Sequence, residues 1–158
     1  MPSLATFSLP ALLSVGGSVD TGDTPLNLTS VNALLVRLAA LDGTAGTTTY
    51  GGHTVTIAGS AVAPGATGMT AVATLRARGN TVHVNFSITA LYQPGKTFTV
   101  VDATAALNGA TGSITVAGST GNNGTYTIVS AVSGSGSTVV TVSGAIPSAT
   151  VDGWVVAP

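Results

Sequence analysis

The chain has 158 residues, enough for one core of ordinary size or for two small modules sharing one. Nine side chains carry a full charge, 6% of the residues against a globular norm near ~25%, and the net charge is −1. Four scattered basic residues give no electrostatic footprint for nucleic acid, and the absence of Cys excludes disulfides, thiolate catalysis and cysteine zinc sites.

The hydrophobic fraction is an ordinary 44%, so the polar surface must be built from Thr, Ser, Asn and main chain. Such a surface gives copies of the chain little reason to repel each other, which points to obligate assembly. Residues 1–17 have an apolar run but no positive n-region, and Pro10 interrupts them. No window reaches the ~18 apolar residues of a spanning helix, so a soluble, uncleaved chain is expected, with no membrane partner.

Residues 1–24 space Leu4, Phe7, Leu9, Leu12, Leu13 and Val15 between prolines, which favours an extended arm over a helix. An apolar arm must pack on its own domain or on a neighbour. The stretch Thr29–Leu41 is the clearest helix. Val31, Leu34, Leu35, Leu38 and Leu41 form its apolar stripe, Thr29 or Ser30 can cap it, and Asp42-Gly43 ends it. Arg37 lies off that stripe and reads as solvated or interfacial. A short strand over His53–Ala58 follows, then Pro64-Gly65 and a second possible helix over Met69–Arg78. That helix would carry Met69, Val72, Ala73 and Arg76 on one face. Thr81–Ile88 alternates as a single strand, with Val82, Val84, Phe86 and Ile88 on one side and His83, Asn85 and Ser87 on the other.

A turn at Gln93-Pro94-Gly95-Lys96 opens the second half. Its predicted strands are Thr97–Val101, Ser113–Ala117, Gly124–Val132, Ser137–Val142 and Gly153–Val156. Gly-Asn-Asn-Gly and Ser-Gly-Ser-Gly-Ser separate three of them, the chemistry of tight antiparallel connections. The expected fold is mainly β with one or two short helices. It comprises an extended N-terminal arm (1–24), an α+β region (25–92) and a small antiparallel β-sandwich or barrel (93–158).

No motif carries catalysis. Asp20-Thr21-Gly22 matches the tripeptide of aspartic proteases but lacks its preceding strand and partner motif, so it reads as a turn. Gly118–Gly124 is glycine-rich like a phosphate loop, yet Thr125-Tyr126-Thr127 follows instead of Lys-Ser/Thr opening a helix, so it reads as a hairpin. Asp20, Asp23, Asp42 and Asp152 neighbour Gly or Thr as turn-forming residues do. His53 and His83 stand alone in alternating segments. Trp154 and Tyr126 are expected to pack in the sheet rather than to stack on sugars. No cofactor and no metal ion are expected.

The segment Ile114–Ser130, reading I-T-V-A-G-S-T-G-N-N-G-T-Y-T-I-V-S, with Ser137–Val142 and Ala149–Gly153 after it, resembles a small β-module of tailed-bacteriophage virion proteins. Length, composition and the apolar arm are similar to those of capsid decoration (cement) proteins. The resemblance covers about a third of the chain. It implies a non-enzymatic protein made in the host cytoplasm and carried on the virion. Its partners would be the major capsid protein and further copies of itself, as a homotrimer, with no nucleic acid. The arm residues Leu4, Phe7, Leu9, Leu12, Leu13 and Val15 would form the contact. A tail, neck or fibre component, or a secreted bacterial adhesin-type β module, would be the alternative.

Overall fold

The computed structural model describes residues 9, 11–22, 24–102 and 105–156. The chain divides into two compact units, Met1–Val84 and Asn85–Pro158. It is mainly β, with two helices and a six-stranded antiparallel barrel.

The first unit runs β1 (Val19–Asp20), α1 (Leu28–Ala39), β2 (Thr54–Thr56), α2 (Ala66–Ala77), β3 (Thr81–His83). Its three strands lie in the order β1-β2-β3 and pair in parallel, Val19 with Val55 and Val55 with Val82. Residues 19–20, assigned from sequence to the arm, are thus the first strand of the sheet. In α1 the stripe holds, with Val31, Leu34, Leu35 and Leu38 buried. The cap is Asn27 rather than Thr29 or Ser30: its Oδ1 accepts the Ser30 N–H at 2.9 Å. The extended Asn27 backbone puts its short amide over the first turn, a contact worth about 1 kcal/mol.

Helix α2 starts at Ala66, earlier than expected, because Gly65 after Pro64 takes the capping position. Its buried face also differs from the predicted one. Gly68, Met69, Ala71, Val72 and Leu75 face inward, whereas Ala73 is exposed and Arg76 half-buried. Gly68 sets this rotation, since a Cβ there would lie 2.3 Å from Asn32 Oδ1 on α1. The two helices therefore meet at a glycine. Asn80, 5% exposed, ties the far end: its amide donates to the Tyr50 and Leu75 carbonyls, and its Oδ1 accepts from the His53 N–H.

The single strand expected over Thr81–Ile88 is two strands in two sheets. β3 ends at His83, and β4 (Phe86–Tyr92) belongs to the barrel. The alternation of Val82, Val84, Phe86 and Ile88 as buried residues continues across the break, while Asn85, assigned to the opposite face, is also buried at 1% exposure. Burial kept its period while the pairing partner changed, so hydropathy alone could not mark the boundary. Phe86–Tyr92, read from sequence as the end of the middle region, lies in the second unit.

The second unit contains β4, β5 (Thr97–Val101), β6 (Ser113–Ala117), β7 (Gly124–Gly134), β8 (Ser137–Val142) and β9 (Trp154–Val156). These strands close in the order β4-β5-β8-β7-β6-β9, with every pair antiparallel. Closure removes the strand edges that an open sheet would expose. Phe98, Val100, Ile114, Val140 and Val155 fill the interior, where the Phe98 and Tyr126 rings meet edge-on at 5.2 Å. The β7–β8 hairpin turns on Ser135 (φ 52°) and Gly136 (φ 78°), the two left-handed residues that match the strand twist.

Candidate functional site

The described part of the arm is fixed to its own unit at Leu12, Leu13 and Gly17. Leu4 and Phe7 lie outside the described residues. A guanidinium N–H of Arg37 on α1 donates to the Leu12 carbonyl. The Thr48 N–H donates to the Leu13 carbonyl at 3.0 Å, and the Tyr50 hydroxyl donates to the Gly17 carbonyl at 3.1 Å. Leu12 and Val15 are half-buried there, whereas Leu9 and Leu13 turn outward at 39% and 54% exposure. Arg37 is thus the clamp of the arm, a role its place off the apolar stripe did not reveal. Burial raises the pKa of the Tyr50 hydroxyl, keeping it a donor.

Arg37 is one case of a general pattern. Arg76 donates to Val82 O at 2.6 Å, Arg78 to Leu41 O at 3.0 Å and Lys96 to Ser143 O at 3.0 Å. The carboxylates behave alike. Asp20 accepts from the Gly22 N–H at 3.0 Å, so Asp20-Thr21-Gly22 is a turn. Asp42 accepts from the Thr44 hydroxyl and N–H, which hold its pKa below the usual carboxylate range. All eight charged side chains among the described residues contact main-chain or hydroxyl groups of their own unit.

The glycine-rich loop 118–123 belongs to this pattern. It joins β6 to β7, and Asp152, just before the neighbouring strand β9, accepts from the Ser119 and Thr120 hydroxyls and from the Thr120 N–H. Asn122, 1% exposed, reaches the 148–150 segment: its Oδ1 accepts from Ser148 N–H and its amide donates to Thr150 O. Every polar group of the loop so placed is turned to its own chain, the opposite of a phosphate cradle. The Ser119 hydroxyl leads the contacts that depress the Asp152 pKa. A depressed folded-state value stabilises the barrel above the unfolded value near 3.8 and is lost as pH falls through the folded one. The melting difference between wild type and Asp152→Asn should therefore be constant near neutrality and shrink below pH 3.8, as read by circular dichroism from pH 7 to 2. A difference unchanged at pH 2 would remove the carboxylate from the account.

Trp154 and Tyr126 pack within the barrel wall. The indole covers Gly118 so closely that a Cβ there would lie 2.2 Å from the ring, and Tyr126 is 8% exposed with its hydroxyl donating to Asn122 O. His53 lies beside Tyr50 at 5.1 Å, and His83 ends β3. Among the described residues no three His, Asp or Glu side chains gather as metal ligands, and no helix is long and apolar enough to cross a membrane.

Two uncharged surfaces stand out. In the first unit, Val36, Ala39, Ala66, Thr70, Ala71 and Thr74 line an open groove of about 480 Å³ between α1 and α2. In the second, the outer side of β4-β5-β8-β7 carries two cross-strand rows. One is Ala90, Thr99, Val139, Val132 and the other Tyr92, Thr97, Thr141, Ser130. Tyr92, Val129, Val132 and Val139 are 61%, 64%, 64% and 41% exposed, four of the nine large exposed apolar side chains among the described residues. Sequence reasoning missed this face. Its signal was the consecutive apolar pairs Ile128-Val129, Ala131-Val132 and Val139-Val140, where alternation forces one member outward. Hydroxyls, methyls and one phenol offer packing and neutral hydrogen bonds, but no group poised for proton transfer.

This architecture defines a two-unit chain, a small parallel β-α-β-α-β layer followed by a closed six-stranded barrel. No family model, curated protein or solved structure matches it.

Proposed function

We propose that the protein is a non-enzymatic virion structural protein, a capsid decoration protein that binds the outer surface of the major capsid shell and stabilises it. The observation that carries this reading is the engagement of all eight described charged side chains within their own unit, which leaves broad uncharged surfaces for packing. The likeness of Ile114–Ser130 to β-modules of tailed-phage virion proteins supports it. The mechanism is passive. The arm presents Leu9 and Leu13 from a stem clamped by Arg37 and Thr48, and their burial against a neighbour contributes ~25 cal/mol per Å² of apolar area. Copies joined as a trimer at a shell junction multiply modest contacts into slow release.

The test is cosedimentation with expanded capsid shells of the virus that encodes the chain. Leu9→Asp with Leu13→Asp should weaken binding at least about 100-fold, two leucine burials' worth, while the melting of the protein is unchanged. Binding equal to wild type would remove the arm from the contact. No binding by the wild-type protein would overturn the reading.

A further inference from the structure

We infer that copies of this chain meet through the outer face of β5, β8 and β7, with Val132 and Val139 at the centre of the contact. The two valines are direct cross-strand partners and both project outward, at 64% and 41% exposure. Val129 stands beside them at the bulge between Ile128 and Ser130, and Thr99 continues the row on β5. Strand positions of this kind on the wet side of a barrel are ordinarily polar or charged. Here neither row contains a charged residue.

Three arguments make the occupant a second copy. First, the barrel has no strand edge to offer, so association must use a side-chain face, and this is its largest cluster of exposed apolar groups. Second, like surfaces meet in a homo-oligomer, and a charged face would set equal charges against each other. A face with none lacks that barrier, and the whole chain carries only −1. Third, Val129, Val132 and Val139 are 64%, 64% and 41% exposed on one face, the kind of apolar cluster that marks an interaction site. Three valines are a small core beside the ~800 Å² per partner of a standard stable interface, which suits a contact that assembles at high local concentration rather than a permanent dimer. The centre of the patch, apolar and free of charge, has the composition of an interface core.

The inference rests on the self-association proposed above and not on the capsid shell, so its test uses the purified full chain alone. Sedimentation velocity across a wide concentration range should show reversible association of wild type. Val132→Lys with Val139→Lys should reduce the association constant at least about 100-fold, while the barrel melts as in wild type. Val132→Thr with Val139→Thr, which keeps β-branching and shape, should give a smaller loss and guards against misfolding of the lysine variant. Association unchanged in both variants would overturn the inference while leaving self-association standing through another surface. A wild type that remains monomeric at every concentration would overturn it too. If that monomer lost shell binding on the same substitutions, the face would belong to the shell and not to a second copy.

Discussion

Asp102→Ala is expected to cost about 3–5 kcal/mol, a large share of the ~5–15 kcal/mol that holds a small domain folded. Asp102 follows β5, is 1% exposed, and accepts side-chain hydrogen bonds from three donors among the described residues. Its Oδ1 takes the Ala106 N–H at 2.9 Å; its Oδ2 takes the Leu107 N–H and the Thr138 hydroxyl, both at 2.8 Å. Thr138 is fully buried and Leu107 is 2% exposed, so truncation strands the Leu107 N–H away from water and leaves the Thr138 hydroxyl only its neutral partner, Ser133 Oγ. Each stranded buried donor costs ~1–3 kcal/mol, more where its partner was ionised. Asp102→Asn retains one acceptor oxygen and should lose roughly half as much. Thr138→Val removes a donor together with its need and should lose least. Urea unfolding of the three variants checks the order. Asp102→Ala within about 1 kcal/mol of wild type would show that the loop after β5 reorganises around the gap.

Gly153→Ala is expected to open the barrel at its closing strand. Gly153 precedes β9 with φ at +77°, and its carbonyl accepts from the Ile88 N–H of β4. An added Cβ would lie 2.6 Å from the Ala117 carbonyl oxygen and 2.8 Å from the Ser119 nitrogen, both main-chain atoms that cannot step aside. Left-handed strain contributes ~1–2 kcal/mol, and overpacking against backbone adds ~1–3 kcal/mol or more. Gly136→Ala is the matched control, because Gly136 has φ at +78° and nothing within 4 Å of its would-be Cβ. At about 4–8 °C per kcal/mol for a unit of this size, strain alone should lower the melting temperature by about 4–16 °C, and Gly153→Ala should lower it by about 4–24 °C beyond its control. Equal effects of the two substitutions would mean that β9 moves to accommodate the methyl group.

The elements readable from sequence were those whose signal is local. Leu34, Leu35 and Leu38 mark α1 by spacing, and Ser113–Ala117 and Ser137–Val142 mark barrel strands by alternation between glycine turns. The features missed depend on distant partners. β1 has two residues, too few for any period, and exists because β2 lies beside it. The β3–β4 break is hidden because Val84 and Phe86 stay buried on either side of it. Asp152 looks like any turn aspartate, and its role comes from Ser119 and Thr120, 33 and 32 residues away. Of the predicted arm contact, Leu9 and Leu13 stand exposed, while Leu12 and Val15 are partly covered through a clamp whose donor, Arg37, is 25 residues along the chain.

The use of charge in this chain has a consequence for its surroundings. Dissolved ions act most strongly on attractions and repulsions between separated charges, over a Debye length of ~10 Å at 0.1 M. Here Arg76, Arg78, Lys96, Asp102 and Asp152 contact uncharged dipoles at or below 3.0 Å, inside the reach of that screening. The folded state consequently has little to lose when ionic strength rises. With its described charges each bound at short range to a carbonyl, an amide or a hydroxyl, the chain is expected to melt at much the same temperature in dilute buffer and in brine.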